Sequence, residues 1–187
     1  MIISLKEKYI KEAVPKMMVK FGYSSSMAVP KIVKVAVNTG FGKQIAGKTN
    51  DEQKKHAQAI AEDLGTITGQ KVLITVARKS IASFKVREGM ALGAKATLRG
   101  KRMYDFLDKL IHLVLPRTRD FRGIDPKSLD PEGSLTFAIR EHIAFPEILP
   151  EKIRNMFGLE ITVVTTAKNK EEGLELLKLL GFPLRRE

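Results

Sequence analysis

Two stretches carry residue types whose spacing could do chemistry. The first, Gly42-Lys-Gln-Ile-Ala-Gly47-Lys48-Thr49, fits G-x-x-x-x-G-K-[ST]. Such a loop cradles nucleotide phosphates with backbone N–H groups and a lysine. Its surroundings argue against that use. The helix that follows reads as starting after Asn50, whereas a phosphate loop's lysine and threonine belong in the first helical turn. The next strand, Val72–Ala77, runs into Arg78 and Lys79 and supplies no aspartate for magnesium. A nucleotide-binding protein is thus the alternative reading, and the wider pattern disfavours it.

The second stretch is the basic loop Arg78–Gly89. Arg78, Lys79, Lys85 and Arg87 stand there against a single acid, Glu88. Cations crowded on one tether repel each other unless an anion neutralises them, and a polyanion does so most readily. Ile81, Phe84, Val86, Met90 and Leu92 interleave with the charges. Apolar groups among cations suit a surface that meets RNA phosphates and unstacked bases. The loop has no evident core of its own, so it is expected to order only against its RNA.

Little else points to catalysis. His56, His112 and His142 lack metal-ligand spacing, and a chain without cysteine has no thiolate zinc site and no disulfide. Asp105 and Asp108 lie on the polar side of a helix, where Lys101, Lys109 or water would pair with them. No serine has a matching histidine and aspartate. The chain reads as a non-enzyme with no catalytic residue, metal or cofactor.

The elements that would position the basic loop follow from periodicity. Ser4 and Glu7 form a capping pair before a helix interrupted near Pro15 and resuming to about Phe21. Strand Lys31–Asn38 places Val33, Val35 and Val37 on one face and Lys34, Ala36 and Asn38 on the other. A glycine-rich loop, 39–49, leads to a helix over 51–66 with Ala57, Ile60, Ala61 and Leu64 as its apolar stripe. Strand Val72–Val76 enters the basic loop, and strand Ala94–Arg99 leaves it with Lys95, Thr97 and Arg99 on one face. The strongest amphipathic helix, Lys101–Leu115, stops at Pro116. A long charged segment, 116–133, precedes strand Ser134–Arg140, whose Leu135, Phe137 and Ile139 point inward. A short helix at 151–156, strand Leu159–Thr166 and a last helix bearing Leu174, Leu177 and Leu180 complete the chain. The expected fold is α+β: a single largely antiparallel sheet, helices on one face, and an exposed RNA-binding face. No repeat or linker divides it, so residues 1–187 are expected to form one domain.

Bulk composition agrees. The 187 residues are 43% hydrophobic, enough for a real core, and Lys+Arg 33 against Asp+Glu 21 gives +12. A folded basic chain suggests nucleic acid first and an anionic membrane second. A membrane partner is not expected: no stretch approaches the roughly 20 apolar residues of a span. The best amphipathic helix alternates Asp with Lys on its polar side. Met1-Ile-Ile-Ser-Leu-Lys-Glu-Lys has no apolar core of signal length, so a cytoplasmic location is expected.

Longer runs carry a family resemblance. They are Met27-Ala-Val-Pro-Lys-Ile-Val-Lys-Val-Ala-Val-Asn-Thr-Gly-Phe-Gly42, Thr68-Gly-Gln-Lys71, Ala77-Arg-Lys-Ser-Ile-Ala-Ser-Phe-Lys-Val-Arg-Glu-Gly89, Ala96-Thr-Leu-Arg-Gly-Lys-Arg-Met-Tyr-Asp-Phe-Leu107, Leu115-Pro-Arg-Thr-Arg-Asp-Phe-Arg-Gly123, Phe145-Pro-Glu-Ile148, Thr165-Thr-Ala167 and Gly181-Phe-Pro183. In this order they resemble the bacterial-type large-subunit ribosomal protein five family, the universal 5S rRNA-binding ribosomal proteins. The resemblance implies a structural place in the central protuberance, beside 23S rRNA and neighbouring proteins. It implies 5S rRNA on the sheet face, through Lys34, Asn38, Gln70, Thr97 and Arg99 with Lys31 and Lys95 nearby. Strand alternation alone selects Lys34, Asn38, Thr97 and Arg99; Gln70 rests on the resemblance. It further implies that Arg78, Lys79, Ser80, Phe84, Lys85 and Arg87 touch peptidyl-site tRNA. Arg117, Arg119, Asp120 and Arg122, within 117–130, would form the bridge to a small-subunit head protein. Lys48-Thr49 has no role in that picture. Two runs depart from the family: Ser24-Ser-Ser replaces a usual asparagine, and Asp130-Pro-Glu-Gly-Ser-Leu135 replaces a usual Gly-Asn-Tyr.

Overall fold

The computed structural model describes residues 4–149, 151 and 155–185. The expected short helix at 151–156 lies largely outside the described residues. Five strands, β1 (Ile32–Gly40), β2 (Leu73–Val76), β3 (Ala91–Leu98), β4 (Leu135–Ile139) and β5 (Leu159–Thr165), form one antiparallel open sheet in the order β2-β3-β1-β5-β4. With its helices this makes the fold α+β, as the periodicities predict. The chain divides into two compact units, one of Met1–Ala36, Leu98–Phe137 and Ile161–Glu187, the other of Val37–Thr97 and Ala138–Glu160.

The first unit is mainly helical. Ser4 caps α1 (Leu5–Lys8) by accepting from the Glu7 N–H, and the Leu5 N–H donates to Asp108 Oδ2 at 3.0 Å. A π turn, Tyr9–Ala13, then leads into α2 (Val14–Phe21). The same device recurs where α5 (Gly100–Lys109) passes through a π turn, Leu110–Val114, into the short α6 (Leu115–Arg117). In both places a proline follows, Pro15 and Pro116, inside the first positions of the next helix. A proline ring lacks an N–H and collides with the carbonyl four residues back; the widened turn relieves both problems. The helix therefore continues past Pro116, which the sequence pattern placed as its stop. Leu107, Leu110, Val114 and Leu115 are wholly or almost wholly buried, as are Leu176, Leu177 and Leu180 of α7 (Lys170–Leu180). Leu174, expected on that face, is only half-buried and Leu176 takes its place. Gly133 and Gly173 touch through their backbones, and a Cβ on Gly173 would overlap Gly133. Tyr23, desolvated and beside the Glu172 carboxylate, has its phenol pKa pushed up to about 12.

The second unit is built around α4 (Asn50–Thr68). His56, Ala57, Ile60, Leu64 and Ile67 form its buried face, and Gly69 ends it in the left-handed conformation that glycine adopts without strain. The segment expected as a glycine-rich loop is instead packed. Phe41 and Ile45 are buried, and a short helix, α3 (Gly42–Ile45), carries Gln44 to a hydrogen bond with His56 Nε2 at 2.9 Å. β2 pairs with β3 as Leu73↔Lys95, Ile74↔Ala94 and Thr75↔Gly93, with a bulge before Val76↔Ala91. Gly93 is required there: a Cβ would meet the Thr39 carbonyl at 2.7 Å and Thr75 Oγ1 at 2.9 Å. Two strand readings need correction. β2 has no buried face, with Leu73, Ile74 and Val76 all exposed on the sheet edge. In β1, Ile32 is buried and Val33 is exposed, so the alternation settles only from Val35 onward.

His142 lies fully buried and stacked on Phe157, ring centroids 4.0 Å apart and 11° from parallel. Burial lowers its pKa, opposed by the nearby Asp63. Below the ordinary imidazole pKa of about 6.5 the unfolded chain binds a proton that the folded chain resists, so stability falls as pH falls through that value. His142→Phe is expected to flatten the loss of stability between about pH 7 and pH 5, whatever its effect at neutral pH. Urea unfolding midpoints across that range check this, and an unchanged pH slope would contradict it.

Candidate nucleic-acid interface

Strand alternation decides which side chains leave the core. In β1, Val35 and Val37 are buried, which turns Lys34 and Asn38 outward. In β3, Ala94, Ala96 and Leu98 are buried and Lys95 and Thr97 point the other way. These strands are neighbours in the sheet. Lys31 is exposed just before β1, and Arg99, exposed, occupies the N-cap position of α5. Gln70 is half-buried; its Nε2 donates to the Thr97 carbonyl at 2.9 Å. That bond ties the turn after α4 to β3, so Gln70 also shapes the face on which Thr97 stands.

Asn38 Nδ2 reaches Glu160 Oε2 on β5 at 3.5 Å. With Gly40, Gly158 and Arg140 these residues border a cavity of about 260 Å³. Glu160 puts an acceptor-only carboxylate in a setting otherwise rich in donors. Further along β5, Thr162 is bonded to Thr136 through their hydroxyls at 3.2 Å.

The basic loop is a small hairpin, contrary to the expectation that it lacks structure of its own. Ile81 and Val86 pair as an antiparallel bridge around the tight turn Ala82–Phe84, with Lys85 at φ 53°. The Ala77 N–H donates to the Met90 carbonyl at 2.8 Å, the Gly89 N–H to the Ala77 carbonyl at 3.0 Å, and the Glu88 N–H to Ser80 Oγ at 2.9 Å. Ala77 and Met90 anchor its base and are buried, whereas Phe84 at the tip is 70% exposed. On one side the hairpin borders an almost wholly apolar groove of about 800 Å³, walled by Ile81, Phe84 and Leu92 and rimmed by Lys43, Arg78 and Lys79. The hairpin also borders a larger groove that carries Lys48, Lys54, Lys85, Arg87 and Glu88.

The phosphate-loop match does not form a phosphate loop. Thr49 is the N-cap residue of α4, outside its first turn, and Glu52 closes a capping box on it. Glu52 Oε2 accepts from the Thr49 N–H at 3.0 Å and from Thr49 Oγ1 at 2.9 Å. Those two bonds lower the Glu52 pKa. The anion at this helix start is therefore the protein's own carboxylate. Burial, with a smaller contribution from Lys48, lowers the His56 pKa.

In the charged segment after α6, Arg117, Arg119, Asp120 and Arg122 are all exposed, and Asp120 takes the unusual φ of 56°. Further on, Ile124 pairs with Leu184, and the Ser134 N–H donates to Asp130 Oδ1 at 2.6 Å. The 130–135 run that departs from the family is thus a closed turn. Among the described residues no group of three His, Cys, Asp or Glu side chains is placed to hold a metal ion, and no helix is long and apolar enough to cross a membrane.

Comparison with known proteins agrees with this architecture. A family model described as ribosomal protein L5 matches residues 25–87, and one described as the ribosomal L5P family C-terminus matches residues 91–184. The large ribosomal subunit protein uL5 of Halothermothrix orenii is 52% identical over 96% of this chain and 97% of its own length. Those of Fervidobacterium nodosum and Syntrophomonas wolfei are 50% and 54% identical, over 99% and 97% of this chain and 97% and 98% of theirs. The chain belongs to the ribosomal protein L5 family. Members of this family are structural, non-enzymatic components, so the nucleotide-hydrolase alternative falls away.

Set beside the L5 family reading, sequence reasoning missed three features of the surface. Glu160 was legible, because the alternation of Leu159, Ile161 and Val163 already points it away from the core. The internal structure of the hairpin was not, since it rests on backbone bonds and on the left-handed Lys85. The larger groove was not legible either, because its two walls are about thirty residues apart in sequence.

With Glu52 bonded to Thr49, ATP and GTP are expected to show no saturable binding in titration calorimetry at millimolar concentration. Saturable binding that Lys48→Ala abolishes would contradict the geometry.

Proposed function

We propose that this L5-family chain is a structural constituent of the large ribosomal subunit, acting as one ribosomal-protein domain in the cytoplasmic ribosome. Its sheet face binds 5S rRNA, its basic hairpin meets peptidyl-site tRNA, and Arg117–Arg122 contribute a bridge to the small-subunit head. The observation that carries the reading is the pair of outward rows on neighbouring strands, Lys34 and Asn38 on β1 and Lys95 and Thr97 on β3, opposite buried apolar rows.

The chemistry of these rows suits folded RNA. Lys31, Lys34, Lys95 and Arg99 neutralise phosphates and set register. Asn38, Thr97 and the free oxygen chemistry of Gln70 address 2′-hydroxyls and base edges. Glu160 accepts hydrogen bonds only, so it favours a base amino or imino group, or a 2′-hydroxyl, and disfavours phosphate. The face has little aromatic surface, and recognition there relies on hydrogen bonding and charge. The hairpin differs: Phe84 and Ile81 offer apolar surface to an exposed base, with Arg78, Lys79, Lys85 and Arg87 around them for the backbone.

The two surfaces are expected to separate by mutation. Thr97→Val keeps shape and strand propensity but strands an RNA partner, weakening 5S binding by about 1–3 kcal/mol. Replacing Lys79, Lys85 and Arg87 together by Ala is expected to change stability little, because exposed charges contribute little to folding. It is expected to spare 5S binding and to speed dissociation of peptidyl-site tRNA from assembled ribosomes. The paired measurement is 5S affinity in isolation and tRNA dissociation in the ribosome. Loss of 5S binding in the triple variant, with tRNA dissociation unchanged, would place the hairpin in the 5S interface and contradict the division.

A further inference from the structure

The basic hairpin does not stand alone. Its larger groove, about 1160 Å³, has one wall from residues 80–91 and another from residues 47–54. Lys85 and Arg87 line the first wall, and Lys48 and Lys54 line the second. All four are exposed, and among the described residues none is in an ion pair. One acid, Glu88, lines the groove with them. Four cations facing one space against a single lining acid leave a net positive charge that raises the local concentration of anions.

Size and lining restrict the occupant. The groove exceeds the roughly 300–1,000 Å³ of ordinary small-molecule pockets, and its lining mixes exposed charged side chains with small and aliphatic ones such as Ala82, Val86 and Ala91. No aromatic side chain lines it; Phe84 borders the apolar groove. A site with cations and no stacking surface suits the backbone of a nucleic acid and leaves the bases outside. The helix start contributes nothing to an anion here, because Glu52 already occupies it.

We infer that this groove holds an RNA phosphodiester strand, with Lys48 and Lys54 completing on the α4 side the cation set that Lys85 and Arg87 begin on the hairpin. The strand belongs to a tRNA or to a ribosomal RNA, which present the same chemistry. The inference rests on the reading of the hairpin as an RNA-contacting element, and it gives Lys48, idle in the phosphate-loop match, a role of its own. The apolar groove beside the hairpin takes a base while this one takes the backbone.

The test uses the full chain and three probes: deacylated tRNA, a single-stranded oligouridylate ten nucleotides long, and 5S rRNA. Lys48→Ala with Lys54→Ala is compared with Lys16→Ala with Lys178→Ala, which removes equal charge elsewhere. For single strands each phosphate contact contributes a salt slope of about 0.7, so losing two flattens the slope by about 1.4 and weakens binding about 25-fold at 0.1 M salt. That loss is expected for oligouridylate in the Lys48/Lys54 variant, with 5S binding retained and the control pair close to wild type. Lys48→Arg with Lys54→Arg is expected to restore binding. A parallel loss for tRNA assigns the strand to tRNA; a loss for oligouridylate alone keeps the groove and assigns it to ribosomal RNA. If the tRNA reading of the hairpin fails, the oligouridylate arm still reports on the groove. Equal losses in both double variants, or an unchanged slope for oligouridylate, would overturn the inference.

Discussion

The two-residue repeat of β1, β3 and β5 leaves each strand with one buried apolar row, and a slip of a single residue would turn that row to solvent. Val35 and Val37, Ala94, Ala96 and Leu98, and Leu159, Ile161 and Val163 are all buried. Lys34, Asn38, Lys95, Thr97 and Glu160 are outward because their strand neighbours are held in. The register is held further at Gly93, where only hydrogen fits against the Thr39 carbonyl and Thr75 hydroxyl, and by the Gln70 amide on the Thr97 carbonyl.

Much of this was legible in the sequence because it follows from short-range periodicity. The alternation around Lys95 and Thr97 predicted which way they turn, although Arg99 falls past the end of β3 at the N-cap of α5, and the stripe at Ala57, Ile60 and Leu64 predicted the buried face of α4. Errors arose where a long-range partner overrode the local pattern. Val33 looks like the start of a buried valine row, yet Ile32 takes the core position. Val72–Val76 has the composition of a core strand but lies at the sheet edge. Pro116 looks like a helix stop, yet a π turn absorbs it. The glycine-rich stretch at 39–49 looked open; Phe41 and Ile45 close it onto α4, and nothing local announces that packing.

Charge is arranged with equal economy. The acids near the basic grooves are few: Glu52 caps α4, and Glu88 lines the larger groove beside Lys85 and Arg87. Among the described residues Lys48, Lys54, Lys85 and Arg87 form no close ion pair, although Lys48 lies near enough to Glu52 to help hold its carboxylate ionised. Such a surface gains free energy by releasing the counterions of a polyanion, and its binding is steeply salt-dependent. On the sheet, Asn38, Thr97 and Glu160 offer directional hydrogen-bonding groups, whereas the groove offers mainly non-directional charge.

The most direct test of the central claim is selective RNA capture. The purified chain, immobilised and exposed to total RNA at moderate salt, should enrich 5S rRNA over transfer RNA and fragments of the larger ribosomal RNAs. Lys34→Glu with Lys95→Glu, which reverses charge on the neighbouring outward rows of β1 and β3, should abolish that enrichment in a folded protein. Enrichment of 5S rRNA that survives both charge reversals would contradict the assignment of the sheet face, and no preference for 5S rRNA in the wild type would contradict the account as a whole.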